Sequence, residues 1–220
     1  MLAFLAPGQR VDGILHDRKS FGELDNRDVK VFLETRRFVT EHLNLEFKSG
    51  FPRISPGGRF NIEKICEYIV AFLNGIGGFV VYGVADSVQS ASTPLESVLV
   101  GVSSSPTVED MGQWATERIH PFPPPIGVRR FMILGKTVVM IRVPRGNARP
   151  YAYYDPGTRI TKYFQRSAGG IRELKPGEIR DFYRESLTDQ ATMLLERSGG
   201  NLLGLVGVRQ WRMALWRCRG

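Results

Sequence analysis

Glu46 and Lys48 stand two residues apart in the run Glu41-His-Leu-Asn-Leu-Glu46-Phe-Lys48, and a third acid, Asp86, closes the later run Gly78-Phe-Val-Val-Tyr-Gly83-Val-Ala-Asp86. Carboxylate oxygens hold hard divalent cations such as Mg2+ or Mn2+, which orient an attacking oxygen and offset charge on a phosphate in transit. A neighbouring lysine stabilises the same charge. Glu41, Glu46 and Asp86 are therefore the candidate metal ligands and, with Lys48, the candidate catalytic set for cleaving a phosphodiester. A simpler arrangement uses the same residues. Glu46 and Lys48 would then be a same-face ion pair on a solvated strand, and Asp86 the start of a turn with Ser87.

Strands must position these groups. From Leu43 to Lys48 the pattern alternates, which puts Leu43, Leu45 and Phe47 on one face and Asn44, Glu46 and Lys48 on the other. Glu41 falls an odd number of residues before Glu46, so it joins that face only if the chain turns or is helical around His42. Apolar residues between Phe32 and Val39 predict such a helix. Further on, Ile62, Ile65, Cys66, Ile69, Val70 and Leu73 follow helical spacing, with Asn61 as N-cap and Asn74-Gly75 as C-cap. Gly77-Gly78 then open a buried strand that runs to Val84 and delivers Asp86.

These segments, in this order and spacing, resemble the Schlafen family, specifically its AlbA-2 type domain. The resemblance is carried by Glu41 with Leu45-Glu46-Phe47-Lys48 and by Ala71-Phe-Leu-Asn-Gly-Ile-Gly-Gly-Phe-Val-Val-Tyr-Gly-Val84. Lys162-Tyr-Phe-Gln-Arg166-Ser167 resembles the closing strand, and Leu174 to Tyr183 the final helix. The resemblance spans residues 31–185 and implies an α+β fold: one lobe with a mixed sheet of five or six strands and packed helices. For the nuclease members it implies cleavage of structured RNA, tRNA and rRNA among the substrates, by three carboxylates and a divalent metal in a basic groove. Glu41 and Glu46 match two of the acids; the third falls just after the Gly-Val pair, at Ala85 or Asp86. Other members are described as nucleic-acid-binding or ATP-binding regulators. Two functions thus stand open, a metal-dependent endoribonuclease and a non-catalytic nucleic-acid-binding or regulatory module. Larger relatives form a U-shaped groove from two lobes, which this chain would recreate as a homodimer.

Composition fits either function. At 220 residues and 42% hydrophobic content the chain buries one main core, flanked by an N-terminal arm (1–30) and a C-terminal extension (186–220). The net charge of +8 is concentrated: residues 126–186 carry 13 Lys and Arg against 5 Asp and Glu, a balance suited to phosphate backbones. Nucleic-acid contacts are expected at Arg53 and Arg59 in the irregular loop after Lys48, and at Arg129, Arg130 and Arg149 around a hairpin turning at Leu134-Gly135. Lys162 and Arg166 complete the set, with Arg166 the leading phosphate contact. Tyr151, Tyr153 and Tyr154 either stack on exposed bases or are half-buried strand residues. No Gly-x-x-x-x-Gly-Lys-Ser/Thr occurs, and Gly75-x-Gly77-Gly78 leads into a strand, which argues against a nucleotide cradle. Two cysteines suggest neither a disulfide framework nor a zinc site. The lack of an apolar run approaching about 18 residues predicts a soluble, cytoplasmic protein without membrane insertion.

Overall fold

The computed structural model describes residues 20–36, 44–85, 93–167 and 170–197; Glu41, His42 and Asp86 lie outside them. The first half of the chain forms α1 (Asn26–Arg36), β1 (Leu45–Lys48), α2 (Ile62–Asn74), β2 (Gly78–Tyr82), α3 (Leu95–Val98) and α4 (Val108–Arg118). The second forms β3 (Ile119–His120), β4 (Gly127–Ile133), β5 (Lys136–Val143), β6 (Ala152–Asp155), β7 (Ile160–Lys162), β8 (Phe164–Ser167), β9 (Gly170–Glu173) and α5 (Pro176–Arg197). The fold is α+β.

Strand alternation sorts the apolar residues onto two faces of a four-stranded sheet of order β1-β2-β5-β4. On one face Leu45, Phe47, Phe79, Val81, Phe131, Ile133, Val138 and Met140 pack with Leu24, Val29, Phe32 and Leu33. On the other, Val80, Tyr82, Val139, Ile141 and Val143 pack with Ile65, Ile69, Phe72 and Leu73 of α2. Each such side chain contributes about 1.5–3 kcal/mol of burial, so the sheet is held from both sides. β1 runs parallel to β2, and the β2-β5 and β5-β4 pairs are antiparallel. The β4-β5 hairpin turns at Leu134-Gly135, both with positive φ, as the right-handed twist of a two-residue hairpin demands.

α2 forms where its caps and spacing place it. The Asn61 side chain accepts a hydrogen bond from the Lys64 amide at 3.0 Å, and the Gly75 amide closes the helix on the Ala71 and Phe72 carbonyls. Gly77 then turns the chain at φ +78, where a Cβ would lie 2.6 Å from the Arg145 amide nitrogen. Only glycine fits so close to another backbone.

Three expectations need correction. The main sheet has four strands, not five or six, because the later strands form a β3-β6-β7 sheet and a β8-β9 hairpin. β6 and β8 pack on α2 instead of extending the sheet. The helix expected at residues 32–39 is α1, which starts at Asn26. Asp25 and Asp28 exchange side-chain to backbone hydrogen bonds, both 2.9 Å, and so fix that earlier start. The arm boundary at residue 30 consequently falls inside a helix, with Leu24 and Val29 buried.

The chain divides into two compact units, residues 1–175 and 176–220. The second contains α5, which opens on Pro176, a residue suited to the first helical position. Among the described residues no helix is long and apolar enough to cross a membrane.

Candidate functional site

The predicted alternation of β1 holds, but the face that carries Glu46 and Lys48 is covered. Glu46 lies opposite Val80 and Lys48 opposite Tyr82, on the side where α2 and β8 pack. The Glu46 side chain is only 7% exposed. One of its oxygens, Oε1, meets the Lys48 ammonium at 2.9 Å, and Oε2 pairs with Nη1 of Arg166. The remaining arm of the Arg166 fork, Nη2, donates to the Leu45 carbonyl at 2.9 Å. Its guanidinium lies 5.2 Å from the centre of the Phe72 ring. A planar fork with several donors serves a carboxylate and a carbonyl at once, which a lysine cannot reproduce. Burying Glu46 and Arg166 is tolerated because each has a partner.

This geometry corrects the reading of Arg166. At 2% side-chain exposure it is committed to Glu46 and Leu45 and presents no surface to a phosphate. Lys48 is the member of the trio that solvent reaches, at 21%.

The strand that carries Arg166 is tied to α2 by Asn74. The Asn74 side-chain amide donates to the carbonyls of Tyr151 and Phe164, both at 2.8 Å, and its oxygen accepts from the Tyr151 amide at 2.7 Å. A single buried side chain thereby ties the end of α2 to β8 two residues before Arg166. Lys162 pairs with Glu63, at the start of α2, at 2.6 Å. The Glu63 hydrogen bond holds the Lys162 ammonium above the usual lysine range.

The other basic candidates are not brought together. Arg53 donates to the Gly58 carbonyl and the Ser104 hydroxyl and covers the Phe60 ring at 4.4 Å, so it braces its own loop. Arg59, in the same loop, is exposed. Arg129 donates to the carbonyls of Phe21, Gly22 and Leu24 at 2.9, 2.8 and 2.7 Å, fastening the segment before α1 onto β4. Arg130 is exposed and donates to the Pro106 carbonyl at 2.9 Å. Both arginines belong to β4, at the opposite sheet edge from β1 and about 14 Å away by strand spacing. Arg149 is half-buried beside Pro150. Tyr151 and Tyr153 are buried, which removes them from base stacking, while Tyr154 meets His120 edge-on at 5.9 Å. Burial, and then the charge of Asp155, pushes the Tyr153 hydroxyl up.

Phe72, Asn74 and Glu63 were not singled out for this site by their sequence pattern. Asn74 gave the one available signal: an amide at the buried end of an otherwise apolar helix face, where a polar group is tolerated only with partners.

The profile of the Schlafen AlbA_2 family matches residues 41–175, more than half of the chain. The chain belongs to the Schlafen AlbA_2 family. Solved structures similar to it include the DIP2311 protein from Corynebacterium diphtheriae, at 21% identity and TM-score 0.43, covering 64% of this chain and 27% of that one. The chain thus spans about a quarter of that protein's length. Another is the N-terminal domain of a protein from Nitrosomonas europaea described as related to the ATP-dependent DNA helicase RecG. It has 21% identity and TM-score 0.41, with 62% of this chain and 85% of that domain covered. At these scores neither likeness bears on function. No curated protein sequence matches the chain.

For an AlbA_2 domain the question is whether the acids fit a divalent cation. Among the described residues no group of three or more His, Cys, Asp or Glu side chains is placed to hold a metal, and both Glu46 oxygens already face cations. The described residues alone therefore do not make a metal site. Because β1 and β2 are parallel, the chain enters β1 and leaves β2 at opposite ends of the sheet. A cluster of Glu41, Glu46 and Asp86 requires the segments beyond both ends to converge on Glu46.

Proposed function

We propose that this chain is a nucleic-acid-binding protein whose AlbA_2 domain holds the phosphate backbone at a cationic centre built on Glu46. One observation carries the reading: Lys48 and Arg166 both pair with the single carboxylate of Glu46. Among the described residues the core of the motif thus sets two cations against this one anion, and Lys48 is the cation that solvent reaches. An excess of positive charge attracts phosphate. Family membership over residues 41–175 supports the same reading, as do the exposed Arg59, Arg145 and Arg159.

A second reading is a metal-dependent endoribonuclease acting on structured RNA such as tRNA or rRNA. It needs Glu41 and Asp86 to join Glu46 as ligands of Mg2+ or Mn2+. What favours it is the shared face of Glu46 and Lys48 on β1, inside the family-matched region. A homodimer would give either function a two-lobed groove, and light scattering in the presence and absence of RNA tests that.

Fluorescence anisotropy with labelled tRNA and with duplex DNA, from about 50 to about 200 mM salt, tests the first reading. Binding that weakens steeply with salt, without cleavage in Mg2+ or Mn2+, supports it. Discrete cleavage abolished by EDTA and by Glu46→Gln establishes the second. No binding at the lowest salt rejects both.

A further inference from the structure

Two lysines, one from β1 and one from α2 itself, lie near the ring of Tyr68 of α2. The Lys48 ammonium, from β1, lies 5.9 Å from the centre of its ring, and the Lys64 ammonium, from the first turn of α2, lies 5.8 Å from it. Aromatic rings attract cations at such distances, and the two ammonium groups are consequently no more than about 12 Å apart. Each lysine has a carboxylate beneath it: Glu46 for Lys48 at 2.9 Å, and Glu67 for Lys64 at 2.6 Å. Exposure separates the two signs of charge. Lys48 and Lys64 are 21% and 46% exposed, whereas Glu46 and Glu67 are 7% and 14% exposed. Among these described residues the lysines are thus the outer groups and their carboxylates the recessed ones, and the buried Arg166 adds a third cation to the two anions.

From this arrangement we infer that Lys48, Tyr68 and Lys64 form a clamp for consecutive phosphates of one nucleic-acid strand. The inference rests on the nucleic-acid-binding reading and adds Lys64 and Tyr68 to it. The spacing suits a strand that carries one phosphate per about 3.4 Å of rise, so a stretch as long as the clamp presents several. Tyr68 is 8% exposed, too buried to stack on a base, and its part is to hold the two ammonium groups by attraction to its ring. The clamp therefore grips the backbone without reading sequence. Tyr68 is a positioning residue here, and the lysines are the binding residues.

The salt dependence of binding tests the clamp. Each phosphate contact contributes about 0.9 to the slope of log K against log salt for duplex DNA and about 0.7 for a single strand. Lys64→Gln and Lys48→Gln should each lower the slope by roughly that amount, equally on two RNAs of unrelated sequence. Lys30→Gln, which removes a surface lysine on the opposite face of the sheet, should leave the slope unchanged. Tyr68→Phe should bind as the parent does, because the ring is kept, and Tyr68→Leu should weaken binding without changing the number of lysines. If Lys48→Gln lowers the slope and Lys64→Gln does not, the clamp is wrong and the nucleic-acid-binding reading survives. An equal loss from Lys30→Gln would reduce the effect to general charge and overturn the clamp. A parent protein that binds no nucleic acid overturns both.

Discussion

Replacing Arg166 with methionine should destabilise the domain by about 3–4 kcal/mol. Removing one partner of a buried ion pair typically costs 3–5 kcal/mol because the other charge is left without compensation. Here Lys48 remains 2.9 Å from Glu46, which places the loss near the lower end. The Nη2 bond to the Leu45 carbonyl disappears as well, adding about 1 kcal/mol. Methionine is long enough to keep contact with the Phe72 ring, so packing is largely preserved. For a chain of this size the loss corresponds to a fall in Tm of roughly 6–16 °C. Urea and thermal unfolding followed by circular dichroism measure both quantities. The companion variant Glu46→Leu/Arg166→Met removes both buried charges, and it should recover about 2 kcal/mol relative to Arg166→Met alone. A loss below about 1 kcal/mol in the single variant, or no recovery in the double, would show that Arg166 does not neutralise Glu46 in solution.

Asn74→Ala should cost at least about 3 kcal/mol, since it strands the amide and carbonyl of Tyr151 and the carbonyl of Phe164 in the core; a urea midpoint close to the parent's would refute its role as a staple. Burial pushes the Cys66 thiol from its ordinary 9.0 up to about 12, so in a Cys218→Ser background native protein at about pH 8 should resist iodoacetamide and react promptly once unfolded. The folded state keeps the Cys66 proton at pH values where the unfolded chain has released it. The stability this provides is full below about 9 and is lost as pH rises to about 12. The parent's urea midpoint should therefore fall more steeply over that range than that of Cys66→Ala, and parallel curves would contradict the assignment.

Local patterns were legible in the sequence wherever one element decides them. The alternation of β1, the Asn61 cap and glycine exit of α2, and the Leu134-Gly135 hairpin all follow from short-range geometry, and the structure contains each of them. The start of α1 was also written locally, in the Asp25-x-x-Asp28 exchange, but the weak apolar periodicity around it pointed further along the chain. What pattern alone does not reveal is who covers a face. Glu46 and Lys48 read as an exposed polar face, whether as a candidate metal and catalytic set or as a solvated pair, because the arginine that covers Glu46 comes from a strand more than a hundred residues away in sequence. Arg129 read as a nucleic-acid contact for a similar reason: its acceptors are three carbonyls at the other end of the domain. An arginine's charge is visible in a sequence, and the group that uses it is not.

The distance along the chain between β1 and its cover also bears on how the protein is made. The Arg166 fork reaches the Leu45 carbonyl across 121 residues, so a ribosome that has finished β1 must go on for roughly 6–24 s before Arg166 is added, at about 5–20 residues per second. Throughout that interval any nascent domain that closed over Glu46 would hold the carboxylate with Lys48 but without its guanidinium. Until then Lys48, on the same strand, is the cation that faces the carboxylate. The buried Glu46–Arg166 pair thus forms only in a chain that has been synthesised through β8.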